Sequence, residues 1–353
     1  MAAVAVTELK YCRQPLRLAA ERRGMLQASP DLCWNTSTAS ILSTRQSLTL
    51  SATQPGPFSR KISPVTPPIR LIAIDIDGTL LDQHFQLTAR NVAALRSAHQ
   101  AGAEILLATG RRHDYALPIA KELGFPVWLI SSNGALIRSS EGETFFFDLL
   151  PRTSAIKLIR HMEQFRGNAV LTFDRAGHDA LVLERVEELN QSIARWIQNN
   201  ERYIRYVSPL EDALAGEDPI QAMYCGRVGR MQQAQLRLAE ADFLDEITIV
   251  RTQYDHRDLC ILDVLNRNCS KGHALRRWAE YHGVPRAQIM AIGDNYNDLE
   301  MLEFAGLPVI MGNASEELKQ SGWKLTGSNA ESGVAQVLEE LFGAGIQEQI
   351  QGQ

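Results

Sequence analysis

The decapeptide LIAIDIDGTL, residues 71–80, decides the fold. Four aliphatic residues, Leu71 to Ile74, run without a polar break and stop at Asp75. Asp77, Gly78 and Thr79 follow at once. A short continuous apolar run bounded by turn residues reads as a buried strand, with Asp75 at its tip. Ligands of open α/β sheets bind outside the carboxyl ends of the strands. Gly78 lets the chain turn away sharply. The tip thus offers one carboxylate for covalent or metal chemistry and a second for proton transfer.

A regular alternation extends outward from this strand. The spacing predicts a helix over 88–101 closed by Gly102, then a strand over 104–108 ending in Thr109-Gly110-Arg111. A helix over 113–123 and a strand over 127–130 follow, the latter leading into Ser131-Ser132-Asn133-Gly134. Strands alternating with helices of this length indicate a parallel sheet with right-handed crossovers. After residue 150 the pattern becomes mixed. It has helices over 153–165 and near 186–198 and 228–241, and strands over 169–173, 180–183, 204–206, 221–225 and 248–251. The sheet rhythm resumes with a strand over 259–264, then a helix over 271–282 and a strand over 289–292. A helix over 298–304, a strand over 307–311, a short 315–320 segment and a closing helix over 332–342 complete it. The expected fold class is α/β: a Rossmann-like parallel-sheet core over 69–151 and 257–345, an α+β domain inserted over 152–256, and a tail over 346–353.

The first 68 residues are unlike the rest. They hold eight Lys or Arg against three Asp or Glu, and 54–68 contain five prolines. Such a segment is expected to be disordered. It reads as a dispensable tail, as an Arg- and Ser-rich transit peptide, or as an over-long gene model. The formal net charge of −5 therefore sits on an acidic body, which argues against nucleic acid as the ligand. No apolar run approaches the ~20 residues that span a bilayer. The five cysteines are odd in number and show no close metal-site pair, which places the chain in the cytoplasm, or in an organelle if the extension is a transit peptide.

Four polar clusters fall at strand ends of the core: Asp75 with Asp77, Thr109, Lys271, and Asp294 with Asp298. A parallel sheet lines up all its strand C-termini, so the clusters can converge. Carboxylates brought together repel, and one takes up a proton unless a cation is present. A hard divalent cation with oxygen ligands is the remedy, and Mg²⁺ suits few carboxylates plus a substrate phosphate. Thr109 and Lys271 would be donors facing an anion. This inventory meets the needs of phosphoryl transfer, where catalysis is mainly positioning and charge neutralisation. Asp75 can form an aspartyl-phosphate, while Asp77 protonates the leaving alkoxide and later takes a proton from water.

DIDGT at 75–79, TGR at 109–111, Ser-Lys-Gly at 270–272 and GDNYND at 293–298 resemble the four motifs of the haloacid dehalogenase superfamily of phosphohydrolases. SSNGA at 131–135, the inserted segment and MGNA at 311–314 narrow the resemblance to the Cof-type branch with a large α/β cap. It covers residues 69–345. The resemblance implies Asp75 as nucleophile and Mg²⁺ ligand, and Asp77 as general acid/base offering its backbone carbonyl to the metal. It implies Thr109, Gly110, Lys271 and Asn297 as phosphate-binding residues, with Asn133 bordering the pocket. Asp294 would ligate Mg²⁺, and Asp298 would be a further ligand or orient one. Asn268 stands where a more apolar residue is common, and Asp263 where Glu is frequent.

Bland roles are expected for Asp82 and Asp114, which read as solvated, and for His84, His113 and His256. A Ca²⁺ loop starting at Asp75 fails because its twelfth position, residue 86, is Gln rather than Glu. The expected activity is Mg²⁺-dependent hydrolysis of small phosphorylated metabolites, sugar phosphates foremost. Nucleotides or phosphorylated cofactors such as FMN are the alternative. An Asp75 phospho-acceptor module and an idle phospho-ligand scaffold are rival classes. Substrate choice is expected in the cap, with Asp174, Arg175, His178, Tyr224 and Arg227 as its candidate pocket groups.

Overall fold

The 71–74 run is apolar on every residue because its strand is covered on both faces. In the computed structural model, which describes residues 10–11, 69–175, 177–187, 191–254 and 258–351, the strands in chain order are β1 (Lys10–Tyr11), β2 (Leu71–Asp75), β3 (Glu104–Ala108), β4 (Trp128–Ser131), β5 (Leu136–Ser139), β6 (Thr144–Phe147), β7 (Ala169–Thr172), β8 (Leu181–Leu183), β9 (Ile204–Tyr206), β10 (Gln221–Gly226), β11 (Ile247–Tyr254), β12 (Leu259–Asn266), β13 (Ile289–Gly293), β14 (Leu307–Ile310) and β15 (Lys324–Leu325). The helices are α1 (Ala89–Gln100), α2 (His113–Glu122), α3 (Arg152–His161), α4 (Gln191–Asn200), α5 (Val228–Leu238), α6 (Lys271–Tyr281), α7 (Leu299–Phe304), α8 (Glu316–Lys319) and α9 (Gly333–Gln351).

One sheet runs β15-β14-β13-β2-β3-β4-β5-β6. It is parallel from β15 to β4, and the β5–β6 hairpin adds antiparallel strands at one edge. Strand alternation divides its residues between two hydrophobic layers. Ile72, Ile74, Ile105 and Leu107 pack with α1, α2 and α9. Leu71, Ala73, Leu106 and Ala108 pack with α6 and α7 on the other side. Burying each such aliphatic side chain stabilises by roughly 1.5–3 kcal/mol.

The second sheet runs β1-β11-β12-β10-β7-β8-β9. Helices α3 and α5 cover one face of it, through Leu158, Ile159, Met231 and Ala234 against Leu171, Tyr224, Leu262 and Val264. Polar contacts join it to the first sheet's elements, among them the 2.6 Å bond from Asn266 on β12 to Asp148 just after β6. Arg138 on β5 forms a bidentate pair with Asp174 at 2.5 and 2.8 Å, and the Tyr115 hydroxyl donates to Asn200.

The expectation for 1–68 lies outside the described residues except at Lys10–Tyr11. That pair forms the two-residue strand β1, antiparallel to β11 at one edge of the second sheet, an edge being a ready template for pairing. The 259–264 strand, read as part of the core sheet, belongs instead to the second sheet, where β12 pairs antiparallel with both β10 and β11. An apolar run records burial, not which sheet supplies its partners. The α3 helix ends at His161 rather than at 165, and α9 continues to Gln351 through the stretch set apart as a tail. The β5–β6 hairpin and β15 were not foreseen. Among the described residues no helix is long and apolar enough to cross a membrane.

Candidate active site

The tip of β2 lies between those of β3 and β13. Register pairs Asp75 with Ala108 and Ile74 with Ile292, so Thr109 and Asp294 emerge beside Asp75. After Asp75 the chain coils through one irregular turn at Ile76–Leu80. Gly78 takes φ +84°, and a Cβ there would lie 2.5 Å from Asp294 Oδ2. Glycine is therefore needed for both conformation and space. On the opposite loop, a Cβ at Gly293 would lie 2.6 Å from that of Asp298.

Asp75, Asp294 and Asp298, all buried, each present a carboxylate oxygen within 4.8 Å of the others. Lys271, the first residue of α6 and only 1% exposed, donates to Asp75 Oδ1 at 2.5 Å and to Asp298 Oδ1 at 2.8 Å. The other Asp298 oxygen accepts from the backbone N–H groups of Asp294 and Asn295 at 3.2 and 3.1 Å. Asp294 accepts from Thr79 Oγ1 at 3.1 Å. Asn313 Nδ2 donates to the Gly78 carbonyl at 2.8 Å and reaches Asp294 Oδ2 at 3.5 Å. Its own Oδ1 accepts from the Asn329 N–H at 2.9 Å.

Three carboxylates share one ammonium, leaving excess negative charge in a buried space. Burial, then the Asp298 carboxylate, push the Asp75 carboxyl up to about 8, against the pull of Lys271. Burial, then Asp75 and Asp298, hold Asp294 well above the usual carboxylate range. Burial alone would lower the Lys271 ammonium, but Asp298 and Asp75 outweigh it and raise it. A cluster that must bind protons when alone, built from oxygen donors, is what a hard divalent cation relieves.

The Asp77 carboxylate stands apart from this cluster. It is gripped by Arg111, whose Nε and Nη2 donate to its two oxygens at 2.8 and 2.5 Å. Thr109 is fully buried, and its Oγ1 accepts from the Arg111 N–H at 3.0 Å. Asn133 adopts φ +54° and takes the Thr109 carbonyl with its N–H at 3.0 Å. A Cβ at Gly110 would lie 3.0 Å from Asn133 Oδ1. Both amide atoms of Asn133, Asn297 Oδ1 and Ser132 Oγ are buried without a hydrogen-bond partner. Buried polar atoms left unmatched cost about 1–3 kcal/mol each, so this set is suited to a polar guest.

Asp75, Thr109, Asp294 and Asp298 thus come together from the tips of β2, β3 and β13, with Lys271 from the start of α6 and Gly110, Asn133 and Asn297 beside them. Asp77 lies next to the cluster rather than in it. The side chains of Thr79, Arg111 and Asn313 were missed. Their signals were present, since Arg111 ends TGR and Asn313 lies in MGNA. Among the cap candidates, Tyr224 is buried in the hydrophobic layer under α3 and α5. Arg175 pairs with Glu217 and His178 with Asp179. His256 lies outside the described residues, and His84 is on an exposed loop.

A parallel sheet with an acid cluster at its strand tips and a buried lysine between the acids defines a hydrolase class built for phosphoryl groups. Residues 72–338 match the haloacid dehalogenase-like hydrolase family, and the chain belongs to it. Phosphatase YwpJ of Bacillus subtilis is 30% identical over 291 residues, covering 78% of this chain and 100% of that protein. The 5-amino-6-(5-phospho-D-ribitylamino)uracil phosphatase YwtE of the same species is 27% identical over 289 residues, covering 78% and 98%. The crystal structure of a haloacid dehalogenase-like hydrolase from Bacteroides thetaiotaomicron superposes with a TM-score of 0.64 at 26% identity, covering 77% and 99%. The chain is a phosphatase of the haloacid dehalogenase type.

Proposed function

We propose that this phosphatase is a Mg²⁺-dependent phosphomonoester hydrolase of the Cof-type branch. It would act through an aspartyl-phosphate on Asp75, in the cytoplasm, on small phosphorylated metabolites. The observation that carries the reading is the meeting of Asp75, Asp294 and Asp298 around Lys271, from loops more than two hundred residues apart. The three carboxylates fit Mg²⁺, with the Asp77 backbone carbonyl as a further donor. Bound there, the ion would neutralise the approach of a carboxylate to a phosphate.

The chain's own groups divide the remaining work. Lys271, Thr109, Gly110, Asn133 and Asn297 hold the phosphoryl oxygens. The Asp75 carboxylate attacks phosphorus and forms an acyl-phosphate as the P–O bond to the leaving group breaks. Asp77, oriented by Arg111, delivers a proton to the departing alkoxide. Asp77 then accepts a proton from the water that attacks the acyl-phosphate, which releases inorganic phosphate and restores Asp75. The elements from α3 to β12 act as a lid that excludes water and contacts the rest of the substrate.

Sugar monophosphates are the first substrate choice. The likeness to YwtE supports a second, a phosphorylated ribityl compound or flavin precursor. Phosphate release from p-nitrophenyl phosphate tests the mechanism. Activity is expected with Mg²⁺, and Asp75→Asn and chelator are each expected to abolish it. An Asp75→Asn variant keeping most of its turnover would overturn the nucleophile. A panel of sugar phosphates, nucleotides and FMN decides the substrate.

A further inference from the structure

Asp263 is a buried acid that the reaction does not use. It lies on β12, an interior strand of the second sheet between β11 and β10, and is 8% exposed. Alternation sends Cys260, Leu262 and Val264 into the layer beneath α3 and α5, so Asp263 and Leu265 project from the opposite face. On the β11 side that face meets the strand tips of the first sheet, and on the β10 side Met223 packs with Trp196 and Ile197. Leu265 and Val250 cluster with Ala135 and Cys269, which follow Gly134 and precede Lys271 by two positions. Cys269 Sγ is 3.9 Å from the Asn133 carbonyl.

The surroundings of Asp263 are unusual for a structural acid. Another buried charged residue of the second sheet's elements, Arg166, is matched by Glu163, Glu184 and Glu211. Asp263 accepts from Gln221 Nε2 at 3.0 Å. Burial is the cause that pushes its carboxyl up to about 7. Gln221, itself 6% exposed, keeps its Oε1 buried and without a hydrogen-bond partner. A pair serving only to staple β10 to β12 has no need of that spare acceptor. An acid held near neutrality and an amide acceptor, set among Val250, Met223 and Leu265, match uncharged hydroxyl groups. A second phosphate would meet there an acid, with no ion pair to Asp263 among the described residues.

We propose that Asp263 and Gln221 recognise the hydroxylated, uncharged portion of the leaving group, so that the substrate is a polyol or sugar monophosphate rather than a bisphosphate. This rests on the phosphatase mechanism above and deepens it. The probes are p-nitrophenyl phosphate, whose leaving group has no extra hydroxyls, glucose 6-phosphate, ribitol 5-phosphate and fructose 1,6-bisphosphate. The parent is expected to prefer a monophosphate. Gln221→Met and Asp263→Leu are expected to lower kcat/KM on the best hydroxylated monophosphate about tenfold to a hundredfold, through KM. Turnover of p-nitrophenyl phosphate should stay within about twofold, and Asp263→Asn should retain most of the parent's selectivity. Gln221→Met is nearly isosteric, so it remains decisive if Asp263→Leu fails to fold. Equal losses on both substrates would make the pair structural and overturn the proposal. Unchanged kinetics, or a parent that prefers the bisphosphate, would overturn it too. A parent inactive on every phosphomonoester would instead sink the mechanism on which it rests.

Discussion

Lys271 shares its ammonium between Asp75 and Asp298 in a space closed to solvent. Lys271→Met keeps the volume of the stem but strands two buried carboxylates, a loss worth about 3–5 kcal/mol in the metal-free protein. Removing a donor aimed at developing charge lowers kcat by about 10²–10³. Urea unfolding and initial rates on p-nitrophenyl phosphate check the two effects separately. A parent-like rate would remove Lys271 from the phosphate site.

Asp263 gives a pH prediction. Its folded value of about 7 lies above the ordinary 3.8. Between those values the folded protein holds a proton that the unfolded chain has lost. Stability from this group is therefore full below pH 4, declines as pH rises to about 7, and is flat above. The whole effect is on the order of 4 kcal/mol. Asp263→Asn has no proton to lose, so its stability relative to the parent should improve from pH 4 to about pH 7 and then level off towards pH 8. Thermal melts across that range test this. A constant difference between the two proteins would contradict it.

At the scale of elements, the turn after Asp77 is held in place by helices distant in sequence. Asn91 on α1 is fully buried, donates to the Leu80 carbonyl at 2.8 Å and accepts from the Ala335 N–H of α9 at 3.0 Å. Thr88 caps α1 through the Asn91 N–H at 3.2 Å and bonds Ser332 at 3.0 Å. Asn91→Leu leaves two buried backbone groups unmatched and should cost about 2–5 kcal/mol. It should also loosen the turn that carries Gly78 against Asp294. Denaturation midpoints measure the first effect. A larger Mg²⁺ requirement for activity, at protein concentrations and temperatures where the variant is folded, measures the second.

For the whole molecule, a cation that binds the gathered acids binds only the folded chain. At a hundred times its Kd, Mg²⁺ should stabilise by about 2.7 kcal/mol, seen as a rise in Tm. Asp294→Asn should lose most of that rise, and an unchanged rise would place the metal elsewhere. Much of this was legible beforehand. The apolar 71–74 run, the turn residues behind it and the strand–helix rhythm specify a doubly covered parallel sheet, because burial on both faces demands unbroken hydrophobicity. Order along the chain then puts Asp75, Thr109 and Asp294 on one edge, whereas Lys271 reaches them from the start of α6. Other features were hidden. The run at 259–264 has the same apolar character whichever sheet receives it, and only its antiparallel pairing with β10 and β11 assigns it.

Local chemistry along the chain determined which residues stand at strand tips, since strand periodicity, turn glycines and helix caps act over a few neighbouring positions. The folded structure alone decided that Arg111 holds Asp77, that Asn313 ties the Gly78 turn to Asp294, and that Asp263 is buried beside Gln221. Those outcomes depend on distances between segments far apart in the chain, and on a burial that desolvates some acids while pairing others. Neither is written in the identity of any one residue.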